Sequence, residues 1–326
     1  MARPNSRRYA VRLNALKPAL PPGEARDTAA LLALAASIDG IDAADLNFPD
    51  QVSPETVTAV GEAQRRHGLH LNGLAMRYYG DPAFALGAFT HPDAAIRRKA
   101  IDLTKRGIDC AGELGAGQMT LWMGQDGFDY AFQIDYARAW DDTVAAMAEV
   151  ADHAPGIDIA IEYKPDEPRA HSLMRDVGTT LLATRELDRR NVGVTLDFAH
   201  VLYAGEMPAH AAALVTRHSR LLGVHLNDGY GRRDDGLMAG TVHPVATVEL
   251  LVALERMGYD GTIYFDTFPD HSGLDPMAEA RGNVLLVERL RAVAADLRDD
   301  PALAEAIARQ DAAASQRIVA AALFGA

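Results

Sequence analysis

"IEYKPDEPR", residues 161–169, closes one hydrophobic run and then turns abruptly polar. The run from Asp158 to Tyr163 alternates as a buried strand does, and Pro165 and Pro168 stop it from continuing. Glu162 and Lys164 stand two positions apart, so on a strand both side chains face the same side. Parallel barrels carry their functional groups at the C-terminal ends of their strands, and a carboxylate projecting beside an ammonium suits that place.

Working outward, short β-like runs recur. They are Tyr9–Leu13, Ala43–Phe48, His70–Met76, Met119–Met123, Asp158–Lys164, Val192–Phe198, Leu222–Asp228 and Thr262–Thr267. Apolar spacing of three and four predicts helices over Thr28–Ile38, Pro54–His67, Asp93–Leu114, Tyr136–His153, Leu173–Leu187, Ala209–His218 and Val245–Met257. Strand and helix alternating eight times predicts an α/β fold, a (β/α)8 TIM barrel. An open doubly wound sheet would carry a Gly-rich phosphate loop after its first strand, and "RLNALKPALPPG" (12–23) has none. A barrel takes roughly 250 residues. The chain therefore divides into a barrel domain over 1–285 and an extension over 286–326. The extension is Ala-rich and helical by propensity. It reads as a C-terminal helical arm for a homodimer or homotetramer, the alternative being a helix packed on its own barrel.

The chain has 326 residues and a net charge of −13, which argues against nucleic acid or an anionic membrane as partner. The one cysteine, Cys110, leaves no internal disulfide and fits a reducing compartment; its helical surroundings mark it as a buried structural thiol. "MARPNSRRYA" (1–10) leads into no apolar segment, and Leu31–Ala36 is too short to span a bilayer, so a cytoplasmic location is expected.

Four successive strand ends then offer ligands. They carry Glu162 with Lys164, Asp197 followed by His200, His225 followed by Asn227 and Asp228, and Asp266. Any one of these acids alone reads as a solvated loop carboxylate. Four at one level point to a divalent cation such as Mn, Mg or Co, because clustered carboxylates need compensating positive charge. In "HLNDGYGRRDDGL" (225–237), Asp234 and Asp235 either close a second cation site with Asp197 and His200 or balance Arg232 and Arg233. One or two cations per chain are expected.

These residues resemble the xylose isomerase family and the wider xylose-isomerase-like sugar isomerases that include L-rhamnose isomerase. The stretch Glu162 to Arg169 resembles the family's "E-P-K-P-N-E-P-R" segment, and further similarity runs through Gly87–Ala116, Leu121–Tyr130 and Leu297–Ala308. The resemblance implies that Glu162, Asp197, His225 and Asp266 hold a structural cation. Histidine at 225 is as on the rhamnose isomerase side. It further implies a second, catalytic cation on Asp197, His200, Asp234 and Asp235, although this loop is shorter than in xylose isomerase. Lys164 would donate to the carbonyl oxygen at C1, and Trp122 and Tyr79 would wall the sugar. Lys164, Glu162, Asp266 and His200 are the residues expected to carry catalysis, with Arg77 and Asp50 added to the substrate contacts. One departure is plain: "LNFPDQV" (46–52) has Pro49 and Asp50 where the family assists ring opening with a histidine. The implied activity is a metal-dependent aldose–ketose isomerase acting on an unphosphorylated sugar or sugar derivative. The alternatives are a 3-epimerase or lyase on the same barrel, a metal-dependent endonuclease like the apurinic endonucleases, and an inactive binding barrel.

Overall fold

The structure is a computed structural model that describes residues 8–23 and 25–325; most of the N-terminal stretch used for the location reading lies outside them. Eight parallel strands close into a barrel. They are β1 (Tyr9–Val11), β2 (Ala43–Phe48), β3 (His70–Met76), β4 (Gln118–Trp122), β5 (Asp158–Glu162), β6 (Val192–Asp197), β7 (Leu221–His225) and β8 (Ile263–Phe265). Each pairs with its neighbours in chain order, and β1 pairs with β8 to complete the ring. The predicted (β/α)8 TIM barrel is thus the fold.

Several strands stop earlier than their hydrophobic runs. Leu13, placed in the first strand by alternation, instead opens a 3-10 turn over Leu13–Ala19. At the end of β5 the Lys164 N–H donates to Met174 O rather than to the ladder. Lys164 and Asp266 therefore sit on the first residues of their loops, still at the C-terminal mouth. The short strands His171–Ser172 and Gly127–Phe128 pair antiparallel, tying together the loops that follow β4 and β5.

Twelve helices occur among the described residues: α1 (Thr28–Ala36), α2 (Val57–His67), α3 (Ala94–Leu114), α4 (Tyr136–His153), α5 (Val177–Leu187), α6 (Phe198–Tyr203), α7 (Pro208–His218), α8 (Pro244–Arg256), α9 (Pro269–Ser272), α10 (Pro276–Arg298), α11 (Pro301–Ala308) and α12 (Ala312–Phe324). Aspartates set many of the starts. Asp27, Asp93, Asp135, Asp176, Asp275, Asp300 and Asp311 each accept a backbone N–H of the first turn. The cap at Asp176 is why α5 begins there and not at Leu173.

The position between 285 and 286 falls inside α10, which packs along α8 on the barrel wall. Beyond it, Leu303 and Ala306 are buried, and Ile318, Val319, Ala322 and Leu323 pack against the barrel core. Ile307 and Phe324 remain exposed on the arm.

The interior tolerates little added volume. A Cβ at Gly193 in β6 would stand 2.5 Å from Arg220 O and 2.7 Å from Leu222 Cγ. Gly193→Ala is therefore expected to cost about 1–3 kcal/mol. Gly156→Ala, with nothing within 4 Å of the added carbon, should stay within about 0.5 kcal/mol of the parent. Thermal midpoints measured side by side check this, and equal midpoints would refute the packing.

Candidate active site

A cavity of about 570 Å3 opens at the C-terminal mouth, and residues from all parts of the barrel line it. Glu162 at the end of β5, Asp197 at the end of β6, His225 at the end of β7 and Asp266 just after β8 each offer one ligand atom, all within 4.8 Å of one another. Strand register does this. Glu162 lies opposite Thr195, and Asp197 lies opposite His225, so successive ends rise around the ring to one point.

Asn227 locks three of these elements. Its amide nitrogen donates to Asp197 Oδ2 at 3.1 Å and to Asp266 O at 3.1 Å, and its oxygen accepts the Ala199 N–H at 2.8 Å. Asp197 Oδ1 in turn accepts the His200 N–H at 2.9 Å, so the acid caps α6. That helix was not anticipated; at six residues it is too short to show a helical period.

Burial would raise the Glu162 carboxyl, but the His225 imidazolium, 3.2 Å from Oε1, holds it low. Burial opposes the charge on His225, yet Glu162 and Asp266 lift it to about 10. Asp197 is pushed up to about 7 by burial; His200 opposes the rise, and Asp234, Glu162 and Asp266 add to it. Burial likewise raises Asp266. Acids crowded at one buried point leave the set short of positive charge. Two cavity-lining atoms, Asp234 Oδ1 and Trp122 Nε1, are buried without a hydrogen-bond partner. Three carboxylates and an imidazole whose ligand atoms converge at the cavity wall fit one divalent cation of the Mn, Mg, Co type.

The second expected cation set does not assemble in the same way; among the described residues a single such cluster is present. His200 Nδ1 donates to Tyr163 O at 3.0 Å, and its Nε2 meets Asp234 Oδ2 at 3.1 Å. Burial opposes the charge on His200, but Asp197 and Asp234 lift it to about 9. Asp235 stands apart: Arg233 Nε lies 2.7 Å from its Oδ1, and its Oδ2 accepts the Tyr230 N–H at 2.8 Å.

Lys164 is buried and faces the cavity. Its ammonium reaches Glu167 at 2.8 Å and Asp234 at 3.2 Å and lies 5.4 Å from the centre of the Trp122 ring. The Tyr79 ring meets Trp122 edge-on at 5.7 Å, and Arg77 lines the same wall. Asp50 is exposed beside Gly80 and does not line the cavity.

Three lining residues had no place among the expected ones. Arg12 follows β1 and pairs with Asp270 at 3.0 Å and Asp266 at 3.8 Å. Asp45 and Asn47 share the inward side of β2, a pairing visible in the alternation of "AADLNF" (43–48). Asp45 accepts from Asn72 Nδ2 and Gly73 N, each at 3.2 Å. Burial nonetheless raises its carboxyl to about 6.

A family model described as a xylose isomerase-like TIM barrel matches residues 32–291. Xylose isomerase of Thermus thermophilus is 31% identical over 272 residues, covering 80% of this chain and 69% of that enzyme. Xylose isomerase of Thermus caldophilus is 30% identical over 253 residues, covering 74% of this chain and 64% of that enzyme. Among solved structures, D-allulose 3-epimerase from Methylomonas sp. with D-allulose superposes with a TM-score of 0.66 at 20% identity, over 89% of this chain and 99% of that one. At that identity the last likeness speaks for the fold.

Asp45 predicts a pH dependence of stability. Its folded value of about 6 lies above the unfolded 3.8, so the stability it lends is full below pH 3.8 and is lost as pH rises through 6. After chelation, Asp45→Asn should be more stable than the parent by about 2–3 kcal/mol at pH 7.5 and indistinguishable from it below about pH 4. Urea midpoints at the two pH values test this, and a difference independent of pH would refute it.

Proposed function

We propose, because this chain belongs to the xylose isomerase-like TIM-barrel family, that it is a metal-dependent aldose–ketose isomerase acting on an unphosphorylated sugar or sugar derivative. The observation that carries this reading is the convergence of ligand atoms from Glu162, Asp197, His225 and Asp266, the first, third and fourth of which line one cavity with Lys164 while Asp197 is buried beside them. When bound there, a divalent cation supplies Lewis-acid polarisation of the substrate oxygens.

The chain's own groups do the rest. Lys164, its charge kept by Asp234 and Glu167 against the cost of burial, donates a hydrogen bond to the carbonyl oxygen at C1. That donor is fixed in advance and aimed at an oxygen that gains negative charge as hydrogen moves between C1 and C2. Trp122 and Tyr79 cover the carbon chain and exclude water. His200, held between Tyr163 O and Asp234, fixes the Asp234 carboxylate beside Lys164. The aspartate at 266, shorter than a glutamate, favours hydride transfer over proton abstraction by a carboxylate.

Among the described residues there is a single four-residue metal set, whereas the isomerase reading takes two cations, and this favours a second reading, epimerisation at C3. Carboxylates on β5 and β8 could then hold the exchanging proton. The same proposal takes the chain as a cytoplasmic homodimer or homotetramer, with 286–326 as the arm. The exposed Ile307 and Phe324 support a contact there.

Incubation of the purified chain with a panel of neutral aldoses, ketoses and sugar acids, followed by NMR, separates the two reactions by product. Chelation should abolish turnover, and Mn, Co or Mg should restore it. Glu162→Gln and Lys164→Met should each lower kcat by on the order of 10²–10³. Activity that survives chelation refutes the metal mechanism, and extensive solvent deuterium in the product refutes hydride transfer.

A further inference from the structure

The cavity has two chemically different sides. Its β5–β8 side holds the candidate metal set, whereas its β1–β4 side contributes Arg12, Asn47, Arg77, Tyr79 and Trp122, with Asp45 as its one acid. Three permanent cations line the cavity, and their partners differ. Arg12 pairs with Asp270 and Asp266, and Lys164 with Glu167 and Asp234. Arg77 has no acidic group within ion-pairing distance among the described residues. Its one side-chain hydrogen bond among them runs from Nε to Asn47 Oδ1 at 2.8 Å.

That bond orients the guanidinium. Asn47 is buried, and its own backbone N–H is held by Gln51 Oε1 at 2.8 Å. The Tyr79 ring lies 5.5 Å from the guanidinium carbon. With Nε taken by Asn47, the outer edge formed by Nη1 and Nη2 is left for a ligand. Half-burying a charge without a partner is unfavourable, and an arginine fork held in one plane matches the two oxygens of a carboxylate. A general electrostatic role toward Glu162 would require no such orientation.

We propose that Arg77 recognises a carboxylate, so that the substrate is a sugar acid whose acid group lies on the β2–β3 side of the cavity. This rests on the isomerase or epimerase reading above and narrows its substrate. One free fork suits a carboxylate monoanion. A phosphate dianion would call on further donors, and the other two cations are already paired.

Titration calorimetry on the Mn-loaded chain tests this with three ligands that differ only at C1: xylitol, D-xylonate and D-xylitol 1-phosphate. D-xylonate should bind about tenfold or more tighter than xylitol. Arg77→Met should shrink that ratio to about twofold or less, and Arg77→Lys, which keeps the charge but loses the fork, should fall between. Equal affinities overturn the carboxylate assignment and leave the isomerase reading intact. So does tightest binding of the phosphate. A preference that survives Arg77→Met places the carboxylate on the metal set and overturns it too. If none of the three binds and the NMR panel shows no turnover, both readings fall together.

Discussion

Carboxylates crowded into one buried volume repel each other, and that repulsion governs how the mouth of this barrel is built. Glu162, Asp197 and Asp266 reach the same point, and burial together with their neighbours raises the last two. Only a rigid frame keeps such groups together. The closed ring of strands supplies it, with no free edge along which a strand could slip. Imidazoles at 200 and 225, the Arg12 guanidinium and the Asn227 amide then fill the space around the acids with positive charge or donors.

The same frame explains why so much could be read from sequence. Short strand-like runs separated by helical stretches indicate parallel strands, and residues at their ends must converge if the ring closes. Glu162, Asp197, His225 and Asp266 were therefore legible as a group, although no two are adjacent in the chain. The arm was legible as helix from its alanine content, but not in its position, because propensity carries no information on what a helix packs against.

The rest of the site lacks a period or a motif. Arg12 and Asp45 are single polar residues beside apolar runs, and only the closure of β1 against β8 and the inward face of β2 bring them to the cavity. The pair at 234 and 235 separated because each side chain found a different cation: Lys164 for the first, Arg233 for the second. Loop geometry of that kind depends on local contacts that the order of residues does not disclose. Asp50 likewise turned outward, in a turn whose direction the adjacent proline did not specify.

Asn227 has a consequence for how such a barrel can change. One amide joins the Asp197 carboxylate, the backbone carbonyl of Asp266 and the start of α6. Altering it disturbs all three at once, so the arc of the mouth built on β6 to β8 is mechanically interlocked. The opposite half has looser couplings: Arg77 touches Asn47 and Tyr79, and its replacement leaves the interlock alone. Evolvability is thus unevenly distributed around the ring, with one arc frozen by its own bonding and the other free to drift toward new molecules.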